Sequence, residues 1–293
     1  MKRMKCFFLA FALVLILPAC SADATPQNGQ VNSSAPAVSS SIPNTNNTSD
    51  VEGVSISIEV YSWNYDTNEA YLVTCDGKYT GEMLDGVPSG TGRFDSQNDR
   101  GDTWYYEGQF KNGRFDGQGG CYWSDGYSEV GTYVDGSFHP TYLETLEHLS
   151  QYSSITFGIN SASKTFLLEH ESLFPAVTEQ ASSEAEALID SSIAYPQSEK
   201  SLANVQGKFC KRENTYVIQA EESNLYGSIV TTLLVSDEDF DNFLIYFNGS
   251  LPDVYSDTYI TFTGLPIATA SFPNISGGTT NVAVIAASSV DFV

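Results

Sequence analysis

Hydrophobic residues alternate with polar ones in several short stretches of this chain, which is the pattern of β-strands that bury one face. Val54, Ile56, Ile58 and Val60 follow it and predict a strand over 54–61, with a second over 70–74. Five more strands are predicted in the C-terminal part, at 205–219, 228–235, 242–247, 258–271 and 281–287. The chain is therefore predicted to be mainly β.

Between these regions the hydrophobic spacing changes to three and four residues, which is typical of helices. Leu143, Leu146 and Leu149 predict a helix over 141–151 that closes the preceding sheet. Further helices are predicted over 162–171 and 179–193, separated by Pro175, because a proline disfavours helical geometry in the residue before it. Residues 153–159 alternate again and predict a short strand, and 251–254 leave room for one helical turn.

One pattern of aromatic, glycine and turn residues recurs three times between residues 78 and 138. Its copies begin at Tyr79-Thr-Gly81, Tyr106-Glu-Gly108 and Gly131, and each reaches an Asx-Gly pair, at Asp85-Gly86, Asn112-Gly113 and Asp135-Gly136. In the first two copies a Gly-x-Gly follows, at Gly90 and Gly92 and at Gly117 and Gly119. Because Asx-Gly pairs favour two-residue type I′ turns, each copy is predicted to form one β-hairpin.

A hairpin of this length cannot bury an aromatic face alone, so the copies must cover one another. The residues expected to fill the space between them are Tyr79, Phe94, Tyr106, Phe110, Tyr122 and Tyr133. The hairpin sheet is also expected to offer an exposed aromatic groove as a binding surface, and its predicted residues are Tyr79, Tyr106, Phe110, Tyr122, Trp123 and Tyr133.

The Tyr-x-Gly, Asx-Gly and Gly-x-Gly arrangement resembles the MORN repeat family. The resemblance implies a long, single-layered, twisted antiparallel sheet of successive hairpins, and a role in scaffolding or in binding lipids or partners more than in catalysis. In the third copy Glu129 stands where the leading tyrosine would be, and the Gly-x-Gly half is missing. We expect that copy to cap the array.

The five C-terminal strands, with a short helical element after the third, resemble the OB-fold, a small, partly open five-stranded barrel. Gly207 and Gly264 suit the tight bends that such a barrel needs. The stretch 166–176 resembles a connector in lipoproteins of low-GC Gram-positive bacteria.

The N-terminal pattern predicts an export signal. Lys2, Arg3 and Lys5 precede a short apolar run, and Leu17-Pro-Ala-Cys20 follows it. Cys20 after Leu-x-Ala resembles the lipobox of bacterial lipoproteins, which implies that its thiol carries a lipid and becomes the mature N-terminus. The alternative is an ordinary cleaved signal followed by a chance cysteine.

The predicted domains follow from these elements. They are a lipoprotein signal peptide (1–20), a disordered tether (21–50), a MORN-repeat sheet (51–152), a helical connector (153–197) and an OB-like domain (198–293). The tether is rich in Ser, Asn, Thr and Pro and cannot bury enough surface to fold. It should span about 30 Å as a flexible chain, enough to lift a folded domain off a membrane.

The charge of the chain narrows its partners. The formal net charge is −23, and without the three basic residues of the signal ten Lys and Arg face 36 Asp and Glu, which gives −26. Such a charge repels nucleic acid and anionic lipid headgroups, and leaves cations, neutral glycans or proteins as ligands. The acidity also fits an exported protein that simply has to stay soluble.

The residues with catalytic or metal-binding chemistry are scattered. Cys75, Cys121 and Cys210 are odd in number and predicted to lie in different elements, so a disulfide framework is not expected, although a Cys75 to Cys121 bond stays open. No metal-spaced pair or nucleophile motif accompanies the three histidines. Asp237, Asp239 and Asp241 alternate as calcium ligands do but lack the glycine and distal glutamate of such a loop.

The sequence therefore favours a non-enzymatic binding or scaffolding lipoprotein on the extracytoplasmic face of the cell membrane. Its expected partners are the membrane, through Cys20, and a protein or cell-wall glycan, with no cofactor and no nucleic acid. A second recognition surface could come from strand aromatics of the OB-like domain, at Tyr216, Tyr226, Phe243 and Tyr246. The alternative is an envelope enzyme such as a wall hydrolase with a dispersed carboxylate pair, Glu129 and Asp135.

Overall fold

The computed structural model describes residues 47–64, 69–98, 101–193, 207–274 and 277–293. The predicted signal peptide, Cys20 and nearly all of the predicted tether lie outside these residues. The described chain divides into two compact units, with the boundary between His139 and Pro140. None of the described helices is long and apolar enough to cross a membrane.

The first unit is one antiparallel sheet whose seven strands pair in chain order. The strands are β1 (Thr48–Asn64), β2 (Glu69–Leu84), β3 (Val87–Gln97), β4 (Thr103–Lys111), β5 (Arg114–Trp123), β6 (Ser128–Val134) and β7 (Ser137–Phe138). Strand β1 begins inside the segment predicted to be a tether, so that segment ends before Thr48 and not at Asp50. Both predicted strands before the repeats are confirmed, as parts of the longer β1 and β2.

The three Asx-Gly pairs form the hairpin turns, as predicted. Asp85, Asn112 and Asp135 have φ of 52°, 52° and 49°, and the glycine after each has φ of 81°, 79° and 90°. Positive φ at both central positions is the type I′ geometry, which matches the right-handed twist of the flanking strands. The sequence prediction of one hairpin per copy is confirmed.

The Gly-x-Gly motif makes room for two side chains on opposite faces of the sheet. A Cβ at Gly92 would lie 2.4 Å from the hydroxyl of Tyr79, and one at Gly119 would lie 2.2 Å from that of Tyr106. The tyrosine ring of each copy therefore lies flat over the second glycine. Its hydroxyl donates to a backbone carbonyl, Tyr79 to Glu82 at 2.6 Å and Tyr106 to Gln109 at 2.9 Å.

The first glycine of each motif accommodates a side chain from the neighbouring strand. The pairing register shifts at Gly81/Met83 in the first copy and at Gly108/Phe110 in the second. The extra residues lie in β3 (89–91) and in β5 (116–118), and the side chains opposite them, Glu82 and Gln109, fold over Gly90 and Gly117. Their Oε1 atoms accept the backbone N–H of Thr91 (3.0 Å) and Gln118 (2.9 Å). Each of these side chains thus accepts a hydrogen bond from a backbone N–H that the shift in register would otherwise leave unpaired.

Aromatic side chains fill the inner face of this sheet. The rings of Tyr106 and Phe115 stack with centroids 3.8 Å apart, and Phe110 and Tyr133 meet Tyr106 edge to face, each at 5.1 Å. The sheet bends enough to bring β1 back toward β5, where Arg114 contacts Glu59 at 2.6 Å. The inner face is therefore a closed aromatic core.

The described part of the second unit contains three helices and five strands. They are α1 (Tyr142–Tyr152), α2 (Ser161–Glu169), α3 (Glu179–Ala187), β8 (Cys210–Leu225), β9 (Ser228–Ser236), β10 (Asn242–Asn248), β11 (Tyr259–Pro273) and β12 (Thr279–Phe292), with one 3₁₀ turn at Glu171–Leu173. Each strand pairs with two others in the ring order β10, β12, β11, β8, β9, and only β10 with β12 is parallel. The five predicted C-terminal strands are confirmed with shifted bounds: the first, predicted over 205–219, begins at Cys210, and residues 205–206 lie outside the described residues.

The helices differ from the prediction in their packing. Helix α1 has the predicted position and a capping box, in which Thr141 and Glu144 bond each other's backbone N–H. It does not close the repeat sheet, however, because Leu143, Leu146 and Leu149 lie in one core cluster with residues of β8 to β12. The predicted boundary at residue 152 is therefore wrong by one helix, and the predicted connector is part of the second unit.

Three smaller expectations are also wrong. Residues 153–159 form no strand, although Ile155, Phe157 and Ile159 do pack against the core of the second unit. Helix α3 ends at Ala187 and not at 193, and residues 251–254 form turns without a helix. In each case the apolar residues are spaced for packing against the core and do not form a helix or strand there. Periodicity alone does not distinguish these two possibilities.

Candidate binding groove on the repeat sheet

Most of the predicted aromatic groove is buried core. Tyr79 and Tyr106 have 0% of their surface exposed, and Phe110 and Tyr133 have 3% each. All four alternate onto the inner face, where neighbouring rings and glycines cover them, so they offer no surface to a ligand. Their predicted role as filling is confirmed, and their predicted role in binding is wrong.

The opposite face of the same strands carries a different set of aromatic residues. The pairing register places Asp95 of β3, Tyr105 of β4 and Tyr122 of β5 in one row across the sheet. The rings of Tyr105 and Tyr122 stack with centroids 4.8 Å apart and planes 21° apart. The guanidinium carbon of Arg93 lies 3.6 Å from the centroid of Tyr105, which is cation–π geometry. Arg93, Tyr105 and Tyr122 form what we call the outer stack.

Two carboxylates fix the position of Arg93. Its Nε and Nη2 contact the Asp95 carboxylate at 2.6–3.1 Å, and Nη1 lies 3.5 Å from Glu107. The hydrogen bonds with Asp95 raise the pKa of Arg93 further above its usual range. These groups are 41–62% exposed, so the ion pairs add little to folding stability. Their effect is to orient the guanidinium over the ring and to neutralise its charge.

A groove of about 450 Å³ lies beside the outer stack. It is lined by Asp76, Gly77, Arg93, Asp95, Ser96, Gln97, Thr103, Trp104, Tyr105, Tyr122, Trp123 and Ser124, from strands β2 to β5 and the turn after β5. Burial and the neighbouring Tyr105 and Glu107 raise the pKa of Tyr122, so its hydroxyl stays protonated and can donate. Tyr122 and Trp123 are the two predicted binding residues that do line a surface feature.

Trp123 contains an unusual donor. Its indole Nε1 is buried and has no hydrogen-bond acceptor among the described residues. The ring packs against Tyr127 with centroids 5.2 Å apart. A buried donor without an acceptor costs about 1–3 kcal/mol, so this position is not optimised for stability.

The carboxylates proposed for an enzyme do not converge. Asp135 lies in the turn after β6 and contacts Arg114 at 2.9 Å, whereas Glu129 lies near the start of β6 and accepts from the Tyr127 hydroxyl at 3.3 Å. Six residues of extended strand separate them by about 20 Å, well beyond the roughly 5–9.5 Å between the carboxylates of glycosidases. This pair is wrong as a catalytic site.

The other candidate groups serve the fold. Asp237 accepts the backbone N–H of Asp239 and Asp241 at 3.1 and 2.9 Å, so its carboxylate stabilises the β9–β10 turn. In the described part of the chain no group of three His, Cys, Asp or Glu residues could hold a metal ion. The thiols of Cys75, Cys121 and Cys210 form no disulfide there, so the Cys75 to Cys121 alternative is wrong.

The three histidines do not come together in one site, and the aromatic residues proposed as a second recognition surface are largely core. His139 is exposed, His148 is buried against Tyr226, and His170 contacts Glu184 at 3.1 Å. Burial lowers the pKa of His148 to about 4. Phe243 and Tyr246 have 1% of their surface exposed, so the proposed aromatic platform of the second unit does not form.

Comparison with known proteins agrees with the fold of the first unit. The MORN repeat family matches residues 79–99 and 106–126, which are the first two hairpin copies. The chain therefore contains MORN repeats, and the antiparallel hairpin sheet is what such repeats form. Searches among curated proteins and among solved structures gave no match.

Sequence reasoning missed Arg93 and Tyr105 as surface residues of interest. The signal was present, because each lies one position before a core aromatic, Phe94 and Tyr106, and strand side chains alternate between faces. Residues next to the repeated core aromatics therefore had to point outward. Their contact with Tyr122, on a different strand, needed the pairing register.

Proposed function

We propose that this protein is an exported, lipid-anchored binding protein whose recognition surface is the groove beside the outer stack. The supporting observation is that the repeat sheet buries one aromatic face completely and keeps a second aromatic set on the surface, beside a groove with polar lining. Tyr105 and Tyr122 are partly exposed, and tyrosine and arginine are among the residue types that contribute most at binding surfaces. The repeat sheet is thus the rigid support, and the groove is the ligand site.

We infer that the second unit is an OB-like domain. Its strands pair in the order expected for that fold, with the first strand between the second and fourth and the third parallel to the fifth. The net charge of −26 for the chain without its signal argues against a nucleic-acid ligand for this unit. The proposed role of the unit is in the architecture of the exported protein or in contact with a protein partner.

The anchor rests on the motif Leu17-Pro-Ala-Cys20. A diacylglyceryl group at Cys20 supplies two acyl chains, which is enough for stable membrane attachment. Metabolic labelling with a fatty-acid analogue should mark the wild-type protein and not Cys20→Ser. Equal labelling of both proteins would contradict the lipid anchor without affecting the groove.

The groove is tested with a soluble chain of residues 47–293. After fluorescent labelling it should cosediment saturably with washed envelope from a Gram-positive bacterium. The Tyr105→Ala and Tyr122→Ala variants should bind at least about tenfold more weakly, because each removes half of the stacked pair.

Tyr255→Ala is the matched control, since Tyr255 is 64% exposed and lies in the other unit. This variant should bind as the wild type does. Equal binding by all four proteins would contradict the groove as the recognition surface.

A further inference from the structure

The charges in the groove select against anionic ligands. Among the described residues of its lining the one cationic side chain is Arg93, which is already in contact with Asp95 and close to Glu107. Asp76 adds a second carboxylate to the lining. The described lining is therefore net negative in a chain that is itself strongly acidic, and its carboxylates would repel phosphate or carboxylate ligands.

The groove also offers no site for a peptide to add as a strand. Its residues come from β2, β3, β4 and β5, and each of these strands is hydrogen-bonded on both sides. Addition of a peptide strand needs an open sheet edge, so backbone pairing is excluded here. A ligand must be held by side chains alone.

The side chains that remain suit a ligand with many hydroxyl groups. Thr103 and Ser124 can both donate and accept, the Asp95 carboxylate has further acceptor capacity, and the protonated Tyr122 hydroxyl can donate. Between these polar groups the groove presents carbon surface from tyrosine and tryptophan rings. This mixture complements a molecule with apolar C–H faces and a rim of hydroxyls.

The groove is longer than one small ring. It crosses four adjacent strands, and three strand spacings amount to about 14 Å. Its volume of about 450 Å³ lies in the lower part of the roughly 300–1,000 Å³ range of ligand sites. A short oligomer fits these dimensions better than a single sugar or a large polymer domain.

We propose that the ligand of the groove is a short segment of neutral oligosaccharide, bound against the outer stack with its hydroxyls on Asp95, Thr103 and Ser124. This inference rests on the proposed function, because it assigns a ligand class to the same site. It makes the binding insensitive to salt, since no ion pair with the ligand forms.

The experiment uses the soluble chain of residues 47–293 on an array of neutral oligosaccharides that includes β-1,4-linked trisaccharides of glucose and N-acetylglucosamine. Sulfated disaccharides and a proline-rich decapeptide serve as comparison probes. We expect saturable binding to one or more neutral sugars, confirmed by calorimetry, with less than a twofold change between 50 and 500 mM salt. Tyr105→Ala and Tyr122→Ala should weaken it at least about tenfold, and Tyr255→Ala should leave it unchanged.

Variants that fail to fold are recognised by their tryptophan fluorescence, because all three tryptophans of the chain lie in the repeat unit. Absence of binding to every neutral sugar, or preference for the sulfated probe or the decapeptide, would overturn the oligosaccharide ligand. If envelope binding still depended on Tyr105 in that case, the groove would stand as a binding site for another ligand. If envelope binding did not depend on Tyr105 either, both proposals would fail.

Discussion

Replacement of Gly119 by alanine tests the packing that defines the repeat. The φ of Gly119 is ordinary, so alanine causes no backbone strain there. The new Cβ would lie 2.2 Å from the hydroxyl oxygen of Tyr106 and 2.5–2.7 Å from two of its ring carbons. Atoms in ordinary contact are at least about 3.4 Å apart, so the tyrosine ring must move by about 1 Å.

The tyrosine cannot move freely. It has 0% of its surface exposed, stacks on Phe115 at 3.8 Å and meets Phe110 and Tyr133 edge to face. Overpacking of such a site costs about 1–3 kcal/mol, and loss of the Tyr106 hydroxyl bond to the Gln109 carbonyl adds about 1 kcal/mol. The total of about 2–4 kcal/mol should lower the Tm of the repeat unit by roughly 10–25 °C.

Thermal unfolding of the soluble chain can be followed for this unit alone by tryptophan fluorescence, since Trp63, Trp104 and Trp123 all precede residue 140. Gly126→Ala is the matched control in the same unit. Gly126 has φ of +93° but nothing within 4 Å of a Cβ, so alanine there causes only backbone strain of about 1 kcal/mol. In a Tyr106→Leu background, Gly119→Ala should add less than about 0.5 kcal/mol, because the ring it meets has gone.

A loss of stability for Gly119→Ala no larger than that for Gly126→Ala would contradict a clash at Gly119. The clash is also contradicted if the cost of Gly119→Ala is unchanged in the Tyr106→Leu background, since it would then not be with Tyr106.

Two further predictions concern single contacts. Gln109→Ala should lower the stability of the repeat unit by about 1 kcal/mol, because the N–H of Gln118 loses its acceptor. Gln109→Glu should be tolerated, because Glu82 fills the equivalent position in the first copy. Equal losses for the two variants in urea unfolding would contradict this prediction. The second unit should lose stability on acidification, because burial lowers the pKa of His148 to about 4 while the unfolded chain binds the same proton near 6.5. The loss should begin below about pH 6.5 and reach about 3 kcal/mol near pH 4. Scanning calorimetry of His148→Gln should show a smaller pH dependence of stability over that window. Identical pH profiles for the wild type and the variant would contradict the lowered pKa of His148.

Much of the first unit could be predicted from the sequence, because its turns and strands are specified by residues close together in the chain. Asx-Gly pairs dictate type I′ turns, and the repeated spacing places Tyr79 and Tyr106 equivalently. The reason for the Gly-x-Gly motif could not be predicted, since it depends on which side chain of the neighbouring strand lies over each glycine. That relation is set by bulges in β3 and β5, opposite Glu82 and Gln109, and these bulges leave no signal in the composition.

Four of the six predicted binding residues, Tyr79, Tyr106, Phe110 and Tyr133, lie on the inner face for a related reason. Aromatic residues are equally good as core and as binding surface, and the sequence does not say which face of a sheet is covered. Because β1 returns toward β5, the inner face is covered, and its aromatic residues form core and not a binding surface. Helix α1 shows the same limit, because its apolar stripe identified a buried face but not the sheet against which Leu146 packs.

The central claim, that the groove beside the outer stack is the recognition surface, is tested most directly by hydrogen exchange of the soluble chain with and without the washed envelope fraction. We expect slower exchange in peptides covering 93–97, 103–105 and 122–124, with no change in β8 to β12. Protection confined to the second unit, or to strands of the repeat sheet outside the groove, would contradict it.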